Sequence, residues 1–225
     1  MNAVKFMKLD FMKIKSQIKL MMAVAAFVVI FAFKTLTEDM LVWGVMYMIF
    51  MGIILTSIPF SIDASATQGF ISLLPARARS RVYGRFLYGF VFLCSCTLIG
   101  CILIAPLVFE KNVDRKALVI EIITFFALGL IITSLQFLMS YFFEIKNAQI
   151  LSIMRMIPAF VFFCGTSLVM DKLSESQESM NDFSKIVSKV MEHQEIAIIG
   201  FLGIAILITL LCMWSCAKRE ESKEM

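Results

Sequence analysis

Six stretches of about twenty apolar residues, parted by short charged connectors, fill most of this 225-residue sequence and leave few folds open to it. A hydrocarbon core roughly 30 Å thick is crossed by about 20 residues of helix at 1.5 Å each, so every stretch is a candidate spanning helix. They run over residues 18–33, 40–62, 86–109, 117–143, 150–170 and 196–216. With 60% hydrophobic residues, a water-soluble fold would lack the polar surface to cover itself. The first stretch is the shortest, and Lys15 and Lys19 extend its reach by carrying their ammonium groups out to the headgroups. The expected fold is therefore an all-α integral membrane protein with six transmembrane helices in one domain, residues 1–225, since even the longest connector, 171–195, is too short for a core of its own. A cleavable signal peptide is not expected, because a long charged segment precedes residue 18 and no small-residue cleavage pattern follows, so the mature chain should keep Met1.

Chemistry-bearing residues are sparse. All six cysteines, Cys94, Cys96, Cys101, Cys164, Cys212 and Cys216, fall within the apolar stretches and none forms a CxxC pair, so they read as small apolar fillers rather than disulfides or metal ligands. The single histidine, His193, lies in a connector without a partner, which leaves no ligand set for a metal. Ser134 and Ser152 have no base nearby in the pattern and no aspartate lies centrally in a span, so a membrane enzyme is not expected. Two charges do fall inside spans, Glu121 and Arg155. Such residues often mark a transport path. Here Glu121 is near the outer end of its span and Arg155 near the inner end of the next, so each is expected to snorkel or bond to a neighbouring helix rather than to pair. Prolines at 59, 106 and 158 interrupt three spans, which membrane helices tolerate where neighbours satisfy the freed carbonyl.

Lysine and arginine accumulate in cytoplasmic connectors. The N-terminal segment through Lys19, the loop 63–85, the loop 144–149 and the tail 217–225 hold thirteen of them, against seven in the loops 34–39, 110–116 and 171–195. Both termini are thus expected in the cytoplasm. Before the first span, Val4, Met7, Phe11 and Ile14 recur at steps of three and four while Lys5, Lys8, Lys13 and Lys15 take other faces, the pattern of an interfacial amphipathic helix whose lysines face anionic lipid phosphates. In the extracellular connector 171–195, Met180, Phe183, Val187, Val190 and Met191 keep a helical step, which predicts a second amphipathic helix.

The loop between the second and third spans is the most specific feature. Phe70, Ile71, Leu73 and Leu74 make an apolar cluster stopped by Pro75, and Arg77, Arg79, Arg81 and Arg85 then alternate with small residues up to the third span. A hydrophobic knob beside a basic run on the cytosolic face suits docking into a cleft of a soluble partner. A nucleic-acid partner is not expected, because no array of base-stacking aromatics accompanies the arginines.

Together these elements resemble permeases of the type-2 ABC transporter family, particularly its short six-span bacterial members. Lys8, Asp10 and Phe11 stand where that family carries K-x-D-F before its first span. Leu74, Pro75, Arg79, Val82, Gly84, Arg85, Phe86 and Leu87 stand in its leucine-proline step and in the small-basic-aromatic-leucine opening of span three. Arg77 and Ala78 replace the commoner polar-then-basic order, and Ser80 stands where an acidic residue is frequent. The resemblance implies a half-transporter in a bacterial plasma membrane: two bundles pair, as a second copy or a paralogue, and each is gripped through the loop between spans two and three by a cytosolic nucleotide-binding subunit. ATP and magnesium would then belong to that partner, and no GxxxxGK[ST] phosphate loop occurs in this chain. Short members of the family often export amphipathic or antimicrobial peptides, such as phenol-soluble modulins and lantibiotics, and 22 phenylalanines with 17 methionines permit an adaptable apolar path. The alternative of similar length, a substrate-binding membrane subunit of a vitamin importer, calls for small-residue stripes, whereas GxxxG is absent here.

Overall fold

The computed structural model describes residues 2–15, 41–65, 77–110, 115–143, 153, 157 and 194–224. Among them every regular element is a helix: α1 (residues 3–15), α2 (Leu41–Thr56), α3 (Ile58–Ser65), α4 (Ala78–Glu110), α5 (Arg115–Phe142) and α6 (Gln194–Glu224). Among the described residues four segments are long and apolar enough to cross a membrane, Gly44–Asp63, Ala78–Pro106, Leu118–Phe142 and Ile196–Lys223. The expected spans 18–33 and 150–170 and the helix expected in 171–195 lie outside the described residues.

Two helices outrun their expected limits. α4 begins at Ala78, two turns before the apolar stretch that was expected to open it. The cause is a face that the arginines hide in the linear sequence: Ala78, Val82 and Phe86 step by four and are all buried, so the arginine run is helical, with its small and apolar residues turned inward. α6 continues through the charged tail to Glu224. At 1.5 Å per residue its 31 residues reach well past a roughly 30 Å hydrocarbon core.

The break between α2 and α3 follows from Pro59. Proline has no N–H for the carbonyl four residues back, that of Leu55. Tyr88 of α4 supplies the replacement, its hydroxyl donating to the Leu55 carbonyl at 3.4 Å. The neighbouring hydroxyls of Thr56 and Ser57 donate to the carbonyls of Ile53 and Ile54 at 2.8 and 2.6 Å, so the turn is satisfied without water, as a bilayer demands.

α2 packs along α4, and α5 pairs most extensively with α6. One apolar core joins Val45, Ile49 and Ile53 of α2 to Leu93 and Ile104 of α4 and Leu130 of α5. The α2/α4 approach is close at Gly100, where an added Cβ would sit 3.2 Å from the Val45 backbone. A second core gathers Phe60, Val82, Phe86, Phe137, Cys212 and Cys216, with Phe137 edge-on to Phe86 at 5.2 Å. The α5/α6 seam carries a Ser134 to Thr209 hydroxyl hydrogen bond at 2.9 Å. The outer side of α6 is apolar and exposed at Ile204, Leu207, Leu211 and Trp214.

One buried group of α5 is costly. Gln136 on α5 is fully buried, yet among the described residues neither its amide nitrogen nor its oxygen has a hydrogen-bond partner. An orphaned carboxamide costs about 1–3 kcal/mol, so replacing Gln136 by methionine, of similar length, is expected to raise the stability of the purified protein by about that amount. Thermal unfolding in detergent checks it, and a lower midpoint for the variant would show that the amide is in fact satisfied.

Candidate functional site

Three stretches that the sequence separates widely meet at one end of the bundle: α1, the helix ends that flank residues 66–76, and the charged end of α6. α1 runs in the same sense as α4. Its first turns press on Gly84, where a Cβ would meet Phe6 at 2.5 Å and the Ala3 carbonyl at 2.7 Å. Its later turns reach higher, with Phe11 edge-on to Tyr88 at 5.0 Å and Ile14 fully buried in a cluster with Leu55, Tyr88, Phe92 and Cys96. The amphipathic stripe thus divides: Met7, Phe11 and Ile14 pack on the bundle, while Val4 is exposed.

On the same inward side of α1 is a charge. Asp10 is buried, and with Lys13 it forms half of a closed ring of four alternating charges. Lys13 Nζ lies 3.3 Å from Asp10 Oδ1 and 2.6 Å from Asp63 Oδ1, and Arg85 Nε lies 3.6 Å from Asp10 Oδ2 while its Nη2 contacts Asp63 Oδ2. Each cation therefore faces both carboxylates. The four side chains are between 5% and 19% exposed, so the ring is well shielded from water. The Arg85 guanidinium also lies 4.2 Å over the Phe60 ring. Burial lowers the Lys13 ammonium from the ordinary lysine range, Asp10 opposes that shift and Arg85 adds to it. A lowered lysine is held less tightly in the folded chain, so this cost is present at neutral pH and is relieved only as the pH climbs toward the unfolded value.

The ring has a fixed place relative to the loop. Asp63 on α3 precedes residues 66–76 and Arg85 on α4 follows them, so one ion pair joins the two helices that flank this stretch and Asp10 with Lys13 fasten α1 to both. Of the residues expected to dock a partner, Phe70, Ile71, Leu73, Leu74 and Pro75 lie outside the described residues. Arg77 is exposed, Arg81 is half-buried, and Arg79 is exposed and paired with Glu221 of α6. Arg85 turns inward to the ring. Glu121 sits exposed in the second turn of α5, and Arg155 lies outside the described residues.

Asp10, Lys13 and Asp63 were not among the sequence candidates for this role. One signal did mark them: Asp10 stands on the apolar face of α1 between Met7 and Ile14, where a charge is out of place unless another element answers it. The end of α6 adds a second clasp. Arg219 donates to the Phe142 carbonyl at 2.9 Å and lies 4.6 Å over the Phe142 ring, capping the C-terminus of α5 with a cation where the helix dipole favours one. Among the described residues no group of His, Cys, Asp and Glu could hold a metal ion. The arrangement is an ionic tie that joins α1, the end of α3 and the start of α4.

The family model described as ABC-2 family transporter protein matches residues 5–219, nearly the whole chain. No curated protein and no solved structure matches it significantly.

Proposed function

The chain belongs to the ABC-2 family of transporter proteins and is a multi-pass membrane permease of that type, and from this premise we propose that it is the transmembrane half of an ATP-driven exporter for amphipathic peptides or similar amphiphiles. In this reading the apolar knob Phe70, Ile71, Leu73 and Leu74, with Arg77, Arg79 and Arg81 at its rim, docks a cytosolic nucleotide-binding subunit in which ATP and magnesium reside. Two bundles, a second copy or a paralogue, enclose the path. The membrane is a bacterial plasma membrane, and both termini are cytoplasmic by the bias of lysine and arginine. The family match carries the transport reading and takes the place of the vitamin-importer alternative.

Support for the loop as the point of force comes from its base, since a loop whose two roots are tied to each other and to α1 transmits a push instead of absorbing it. Support for an amphiphilic cargo is compositional, resting on the abundance of phenylalanine and methionine. The test is the double variant Leu73→Asp/Leu74→Asp. Burying two aspartates in a docking cleft costs a few kcal/mol, so binding of the ATPase, measured by co-purification in mild detergent, is expected to fall about 100-fold. Undiminished co-purification together with unchanged transport would sink the docking assignment.

A further inference from the structure

We propose that Asp10, Lys13, Asp63 and Arg85 are positioning residues that make α1, α3 and the base of α4 a single rigid lever, so that a push on the loop 66–76 is delivered to α1 as well as to the two spans that flank the loop. The inference rests on the reading of that loop as the contact for a nucleotide-driven partner. It adds a third arm to the lever, one that leads in sequence directly into residues 18–33.

Three observations carry it. The ring is closed, with each of its two cations reaching both carboxylates, so α1 cannot shift against one loop root without breaking its contact to the other. A ring of buried charges has one good arrangement and costly alternatives, which makes it a positioning device rather than a soft contact. The apolar contact beside the ring, Phe11 and Ile14 against Tyr88, Phe92 and Leu55, runs parallel to it and keeps water away. At Gly84 α1 approaches so closely that an added Cβ would fall 2.5 Å from Phe6 Cβ and 2.7 Å from the Ala3 carbonyl oxygen, neither of which can swing aside like a side-chain tip. Tyr88 belongs to both parts: its ring packs on Phe11, and its hydroxyl holds the Leu55 carbonyl that Pro59 frees. The break between α2 and α3 is thereby joined to the same block.

Distances between spin labels read this out in the full permease with its ATPase, reconstituted in nanodiscs, with nitroxides introduced at the exposed positions Lys8 (α1), Tyr83 (α4) and Phe143 (following α5) after replacing the native cysteines. Between the nucleotide-free state and the state trapped with ATP and vanadate, the Lys8 to Tyr83 distance is expected to stay fixed. The distances from each of these positions to Phe143 are expected to change together. In Asp10→Asn, which keeps the side-chain shape and removes one charge of the ring, the Lys8 to Tyr83 distribution should broaden roughly twofold. The vanadate-driven shift of Lys8 against Phe143 should vanish while that of Tyr83 against Phe143 remains, a separation that simple loss of stability would not produce. A nucleotide-dependent change between Lys8 and Tyr83 in the native chain would overturn the proposal, as would an unbroadened distribution in Asp10→Asn. If vanadate moves no pair at all, the nucleotide-driven reading of the loop has failed. The comparison of native chain with Asp10→Asn needs no nucleotide and still decides whether the ring fastens α1.

Discussion

Replacing Arg85 by alanine is expected to destabilise the protein by about 3 kcal/mol, because removing one partner of a buried ionic group leaves the others uncompensated. Two carboxylates, Asp10 and Asp63, would then share Lys13 alone in a site little exposed to water. The guanidinium's position over Phe60 and the packing of its stem are lost as well. The reading is a thermal scan in detergent with a thiol-reactive dye, suited to this chain because Cys96, Cys212 and Cys216 are free and buried until it unfolds. At about 2–4 °C per kcal/mol for a chain of this size, the midpoint should drop by roughly 6–12 °C. Arg79→Ala is the internal comparison. Arg79 also has an acidic partner, Glu221, but its side chain is 61% exposed, and an exposed pair contributes about 0–1 kcal/mol. Equal shifts for the two variants would mean that the ring is wetter than its geometry indicates. Substituting all four ring residues by leucine should recover much of the lost stability, since a buried ionic set is often no better for stability than an apolar one of like volume. That variant would keep the fold while removing the ionic tie between α1 and the loop roots.

Much of the architecture is legible in the sequence because lipid imposes few solutions. Four of the six apolar stretches coincide with described helices apolar enough to span. The arginine run before residue 86 reads as a basic loop when residues are taken singly, yet Ala78, Val82 and Phe86 supply a buried face at helical spacing, and burial of that face decides the conformation. The tail after residue 216 reads as a charged flank, but Arg219 and Glu221 are answered by Phe142 and Arg79 on other helices, contacts invisible to any local pattern. The ring itself joins positions 10, 13, 63 and 85. Sequence supplies the charges and the anomaly of Asp10 on an apolar face, whereas which charge answers which is a property of helix packing alone. Arg85 shows the difference most plainly, since as one of four arginines in a run it belongs with the docking set, and in the folded chain its guanidinium faces the interior.

Glycine at position 84 should be intolerant of any side chain, and the contrast with Gly203 makes this a sharp expectation. A Cβ built there falls within 3.0 Å of two atoms of α1, one of them the Ala3 carbonyl oxygen, which cannot swing aside as a side-chain tip would. Gly84→Ala gains about 0.5–1 kcal/mol of helix propensity but forces α1 outward, and overpacking of this kind costs about 1–3 kcal/mol. Gly84→Leu removes any room for compromise. The displacement would also pull Asp10 and Lys13 away from Asp63 and Arg85, so the steric and ionic penalties arrive together. Gly203 on α6 has nothing within 4 Å of its added Cβ, so Gly203→Ala should be neutral or stabilising by up to about 1 kcal/mol through propensity alone. Brief trypsin treatment separates the two cases, because Lys5, Lys8 and Lys15 on α1 are protected by helical structure so long as α1 stays docked. Cleavage before residue 16 should be markedly faster in Gly84→Leu than in the native chain and unchanged in Gly203→Ala. Equal protection in all three would mean that α1 is held without the close approach at Gly84, and the rigid attachment of this helix to α4 would have to be abandoned.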